Sequence, residues 1–186
     1  MRILIADDES IIRMGIKSML QEMGHDVFAA TNGREALQMA RSHRPDMAIL
    51  DIKMPFTDGL QAAETLSRTQ PMPILLLTAF SEKDLIEKAS DLPIQGYLIK
   101  PIKPEELTAA IAVAQKRFAE NQLLAAEKEN LEQKLAERKV VEQAKGKLMK
   151  TGMNEEDAYR LIQKHARDHR KTMHQAALAV LKWAKP

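Results

Sequence analysis

Five polar residues stand at the ends of apolar runs, and together they could carry chemistry. Asp7 and Asp8 follow Ile3-Leu4-Ile5-Ala6, Asp51 closes Met47-Ala48-Ile49-Leu50, Thr78 follows Ile74-Leu75-Leu76-Leu77, and Lys100 follows Tyr97-Leu98-Ile99. If these runs are parallel strands of one open sheet, their carboxyl ends share the edge at which such sheets bind ligands. Each residue alone has an ordinary explanation as a helix cap or a solvated charge; four strand ends together make a constellation. Three crowded carboxylates repel one another unless a cation joins them. Oxygen-only donors suit a hard divalent ion, and Mg2+ accepts a few protein oxygens while keeping waters and phosphate oxygens. On this reading Asp8 and Asp51 are direct ligands and Asp7 acts through water. A carboxylate can also attack a phosphoryl group, a reaction catalysed largely by in-line positioning and neutralisation of the equatorial oxygens. Mg2+ and the Lys100 ammonium would supply the charge and the Thr78 hydroxyl a hydrogen bond. The product would be an aspartyl phosphate at Asp51.

Placing these side chains requires alternating strands and helices. The apolar runs predict strands at about 2–6, 26–30, 47–51, 74–78 and 96–99, with helical patterns between them, which is the grammar of βα units around a parallel sheet. Ile12, Ile16, Met19 and Met23 form one helical stripe that Gly24 stops. Pro104-Glu105-Glu106 opens another helix, with Leu107, Ile111 and Ala114 on its core face. From there to about residue 150 only Gly146 interrupts the helical pattern, and Leu124, Leu131 and Leu135 fall at seven- and four-residue spacing. That spacing suits a coiled coil of about two heptads, and a solvated connecting helix fits as well. Thr151-Gly152 ends the segment, Asn154 caps a helix with Ala158, Leu161, Ile162 and His165 on one face, and a last helix at about 172–184 carries Met173, Ala176, Ala177, Val180 and Leu181.

Composition narrows the classes. The 186 residues suit one ordinary core plus a small module, and the absence of cysteine excludes disulfides and thiolate metal sites. No apolar stretch approaches the roughly 20 residues that span a bilayer, and the first one meets acids at once, so a cytoplasmic protein without membrane partners is expected. The net charge of +2 conceals an asymmetry: residues 1–110 sum to −4, whereas residues 138–186 carry twelve Lys/Arg against five acids. Such a basic module has the electrostatic footprint of a nucleic-acid binder.

Asp7-Asp8, Leu50-Asp51-Ile52-Lys53-Met54-Pro55 with Asp58-Gly59, Thr78-Ala79 and Lys100-Pro101 resemble the response-regulator receiver family over about residues 1–118. The resemblance implies a flavodoxin-like, doubly wound sheet of order 2-1-3-4-5, a sensor histidine kinase as phosphodonor, and Mg2+ with the Lys53 backbone carbonyl as a further ligand. It also implies a cis peptide before Pro101. Tyr97 matches the aromatic that swings inward when the Thr hydroxyl moves toward the phosphoryl group, and Lys53 and Phe80 sit where such proteins tune phosphoryl lifetime.

After a helical linker at 119–134, residues 135–186 form the second domain. Leu135 to Met149, with Glu142-Gln143-Ala144-Lys145-Gly146 at its centre, and Ala158, Leu161, Ala166 and Ala177 resemble the ANTAR antitermination module. Ala176 departs from it, standing where a larger aliphatic residue is usual. The resemblance implies binding to leader RNA hairpins, whose unpaired loop bases can be read. Arg138, Lys145, Lys147 and Arg170 are the expected RNA contacts, and Ala144 and Gly146 are expected to pack against another helix. A phosphorylation-dependent homodimer would place two such modules on one RNA. A DNA-binding regulator and a phosphorelay or protein-interaction element are the alternatives; no dedicated enzyme is indicated.

Overall fold

The computed structural model describes residues 1–79 and 92–183, without the side chain of Trp183; Phe80 lies outside the described residues. The chain divides into two compact units, Met1–Gln122 and the residues from Leu123 onward.

The first unit is built on β1 (Arg2–Ala6), β2 (Asp26–Ala30), β3 (Met47–Asp51), β4 (Ile74–Thr78) and β5 (Gly96–Ile99), all parallel in the order β2-β1-β3-β4-β5. All five strands fall at the expected positions. Successive side chains on a strand point to opposite faces, so each central strand feeds two cores. Leu4, Ala6, Ala48, Leu50, Ile74 and Leu76 meet α2 (Gly33–His43) and α3 (Gly59–Thr69). Ile3, Ile5, Met47, Ile49, Leu75 and Leu77 meet α1 (Ser10–Glu22) and the start of α4 (Pro104–Met149). Every residue of β3 and β4 is buried, which is why both read as unbroken apolar runs. The order reverses beside β1, so the carboxyl ends of β1 and β3 flank the crevice where an open sheet binds ligands.

In the second unit the end of α4 packs with α5 (Glu155–Asp168) and α6 (Met173–Trp183). Its core is small: Ala144, Leu148, Ala158, Ile162, Ala166, Ala176, Ala177 and Val180. Alanines let the helices approach closely, and Ala176, the departure noted above, is fully buried. Asn154 caps α5 by accepting the Asp157 N–H. Leu161, expected on the core face, is exposed; the buried face of α5 is made by Ala158, Ile162 and Ala166. Gly146 corrects its expectation as well. It is exposed, because it lies about 200° around the helix from Ala144.

Between these cores, residues 119–136 of α4 are all exposed, including Leu124 and Leu131. Among the described residues no helix is long and apolar enough to cross a membrane.

Candidate functional site

Backbone pairing brings the five residues to one edge. Asp7 leaves β1 with its N–H bonded to the Ala30 carbonyl, Asp51 pairs with Leu77 across β3 and β4, and Thr78 pairs with Ile99. The Lys100 N–H then donates to the Thr78 carbonyl at 2.9 Å, which ties the lysine to the end of β4. The peptide between Lys100 and Pro101 is cis, as expected.

Lys100 reaches into the acids. Its Nζ lies 2.8 Å from Asp7 Oδ2, 2.9 Å from Asp51 Oδ1 and 3.6 Å from Glu9 Oε1. Asp7 and Asp51 are buried and Asp8 is exposed, so the cluster opens to solvent on the Asp8 side. Asp7, Asp8 and Asp51 each present a carboxylate oxygen within 4.8 Å of the other two. Hard oxygen donors at that separation, two of them withdrawn from water, could coordinate a metal ion.

Burial pushes the Asp51 carboxyl up to about 6; Lys100 opposes the shift, and the charges of Asp7 and Asp8 add to it. For Lys100, burial works against the charged form, but its close ion pairs with Asp7 and Asp51 outweigh burial and hold it above the usual lysine value. The ammonium therefore stays charged beside a carboxyl that is easily protonated. A cation bound among the three acids would favour the ionised carboxylate, the form that can act as nucleophile.

Thr78 is fully buried, and its Oγ1 donates to the Ala79 carbonyl at 3.1 Å. Tyr97 points outward and is half exposed, on the wall of a groove of about 600 Å³ with Ile94, Ala109, Val113 and Arg117. Lys53 follows Asp51 by two residues in the β3–α3 loop and is exposed, between the buried Ile52 and Met54.

Three residues here had no prior assignment. Glu9 extends the acidic run, and its N–H donates to Asp7 Oδ1 at 2.8 Å. Arg13, one turn into α1, donates through Nη1 to the Asp7 carbonyl at 2.6 Å and fixes the start of that helix. Gly59 packs against the backbone of Asp51: a Cβ there would collide with the Asp51 carbonyl oxygen.

The four expected RNA contacts are not equivalent. Arg138 and Arg170 are exposed. Lys145 is buried, with Nζ 2.7 Å from Glu155 Oε1 and 3.0 Å from Glu142 Oε1, and these bonds, Glu155 first, hold it above the usual lysine value. Lys147 donates from Nζ to the Leu181 carbonyl at 3.0 Å, near the end of α6. Lys145 therefore ties α4 to the start of α5, and is withdrawn from the expected RNA surface because its charge is neutralised within the fold. Lys147 ties α4 to α6.

Residues 3–112 match the response regulator receiver domain family, and residues 129–181 match the ANTAR domain family. The transcriptional regulatory protein PdtaR of Mycobacterium tuberculosis is 44% identical over 182 residues, spanning 97% of this chain and 89% of that protein. Among solved structures, the REC domain of AraT, a response regulator from Geobacillus stearothermophilus, is 34% identical with a TM-score of 0.58, over 65% of this chain and 97% of that one. The chemotaxis protein CheY4 of Vibrio cholerae is 31% identical with a TM-score of 0.56, over 60% and 95%.

Proposed function

This chain belongs to the two-component response regulators that join a receiver domain to an ANTAR domain, and from that membership we infer that phosphorylation of Asp51 controls its binding to hairpins in leader RNA. The observation that carries the reading is the Lys100 ammonium, 2.9 Å from a buried Asp51 with Asp7 and Asp8 alongside. A phosphohistidine of a sensor kinase is the donor: an Asp51 oxygen forms the new O–P bond, the P–N bond breaks, and the imidazole leaves and takes up a proton. Mg2+ fits the oxygen donors of Asp7, Asp8 and Asp51, with the Lys53 carbonyl as a further ligand, and when bound it supplies neutralising charge. Lys100 holds one phosphoryl oxygen. Thr78 exchanges its bond to Ala79 for another, and Tyr97 turns inward behind it.

Output follows through α4. The exposed Leu124, Leu131 and Leu135 support pairing of two copies beyond residue 118. Paired basic modules engage RNA together, which raises apparent affinity without new contacts. RNA so held is kept from forming a terminator, and transcription continues.

Two measurements check this. Because its folded pKa is raised, Asp51 holds its proton more tightly in the folded state; its contribution to stability is greatest below about 3.8 and is lost as pH climbs through about 6. Mg2+ competes with that proton, so at a tenfold excess over its dissociation constant it should raise Tm by about 5 °C at pH 7.5 and far less at pH 5. A pH-independent Mg2+ effect would place the ion elsewhere. The second measurement is retention of cellular transcripts by the full chain with and without a phosphodonor. Retention should be salt-sensitive and rise on phosphorylation; equal competition by duplex DNA would overturn the RNA assignment.

A further inference from the structure

Gly146 is an unexplained expense within a helix. Glycine there costs about 1 kcal/mol relative to alanine. The backbone does not require it, since Gly146 is not among the positive-φ glycines of the described residues, Gly24 and Gly152. Packing does not require it either, because a Cβ at Gly146 would meet nothing within 4 Å. Among the described residues nothing accounts for the glycine, which leaves a reason at its exposed surface.

Its neighbours on the helix surface indicate what that is. With 3.6 residues per turn, Lys139, Gln143 and Gly146 fall within an arc of roughly 60° on α4, and Lys150, in the turn that follows Met149, donates its N–H to the Gly146 carbonyl at 3.3 Å. All four are exposed, and the three on α4 lie on the side opposite the core residues Ala144 and Leu148. The side chains of Lys139, Gln143 and Lys150 make no hydrogen bond or ion pair among the described residues, in contrast to Lys145 and Lys147 of α4. The stripe thus offers an ammonium at either end, an amide that can both donate and accept, and a gap in the side-chain layer between them.

We propose that this stripe is where the sugar–phosphate backbone of RNA lies, with Gly146 as the point of closest approach and Lys139 and Lys150 on flanking phosphates. The proposal rests on the RNA-binding reading above and names its surface. A bare helix surface lets another backbone come close. A second copy of this chain could also use the gap, but a face-to-face pair would set Lys139 and Lys150 against like charges, within a segment where twelve cations outnumber five acids. An anionic backbone answers both the gap and the charge.

Gly146→Ala separates the roles, because its effects on folding and on binding should have opposite signs. In the full phosphorylated chain Tm should stay level or rise, while affinity for a pool of RNA hairpins with one fixed stem and randomised loops should fall about tenfold. The double variant Lys139→Gln/Lys150→Gln should lower the slope of log affinity against log salt by about 2. If the wild type binds these hairpins and the variants bind equally well, the stripe is wrong and the RNA reading stands. If the wild type shows no salt-sensitive hairpin binding, both fall. A Gly146→Ala chain that loses sedimentation mass but keeps hairpin affinity would reassign the stripe to contact between copies.

Discussion

Replacing Asp51 with Asn is expected to abolish formation of a hydroxylamine-sensitive acyl phosphate when the full chain is treated with a small acyl phosphate donor and Mg2+. The carboxamide keeps the shape of the side chain but offers no anionic oxygen to attack phosphorus. Neither neighbouring acid is an equivalent substitute. Both oxygens of Asp7 are engaged, Oδ1 by the Glu9 N–H and Oδ2 by Lys100, while Asp8 is solvent-exposed and has no ammonium contact among the described residues. Lys100 would remain 2.8 Å from Asp7, so the ammonium should stay in place and the fold should survive. Asn cannot titrate, so the fall in stability between about pH 4 and about pH 6 ascribed to Asp51 should vanish as well. Acyl phosphate on the variant, mapped to Asp7 or Asp8 by reduction and peptide analysis, would sink the assignment. Transcript retention by the variant should no longer respond to phosphodonor.

The acidic edge was legible because a parallel sheet turns a one-dimensional sign into a three-dimensional one. A polar residue that closes an apolar run marks the carboxyl end of a strand, and Asp7, Asp51, Thr78 and Lys100 each carry that mark. The glycine contact was not legible, since the approach of Gly59 to Asp51 depends on where α3 docks. Arg13 was hidden for a similar reason: its bond reaches back six residues across the turn that joins β1 to α1. In the basic unit the obstacle was different. Counting cations cannot separate a solvated lysine from a neutralised one, and of the two partners of Lys145 the nearer, Glu155, lies beyond the end of the helix that carries the lysine. Gly146 could have been placed from the sequence, because Ala144 and Leu148 define the core side of the helix and position 146 is turned away from both.

Gly59→Ala should damage both folding and phosphorylation, by way of the backbone. Gly59 opens α3 directly after its cap Asp58, and its N–H donates to the Ile52 carbonyl at 2.9 Å, which holds the helix start against the end of β3. Besides colliding with the Asp51 carbonyl oxygen, a Cβ at this position would lie 2.8 Å from the Asp51 carbonyl carbon and 3.1 Å from Ile52 Cα. Backbone cannot rotate aside as a side chain can, so the helix or the strand end must move. Moving α3 would disturb the fully packed Ala62, Ala63 and Leu66, with an overpacking penalty of about 1–3 kcal/mol. Moving Asp51 would break its alignment with Lys100, and a displacement of about 1 Å can cost roughly 100-fold in rate. The expected result is a lower Tm together with phosphorylation slowed by about that factor. Gly15→Ala supplies the contrast: Gly15 lies inside α1 with nothing within 4 Å of an added Cβ, so the same change there should stabilise by up to about 1 kcal/mol and leave phosphorylation unaltered. Should Gly59→Ala instead behave like Gly15→Ala, the seating of Asp51 on the start of α3 would have no part in the reaction, and the acceptor would be positioned by Lys100 and Asp7 alone.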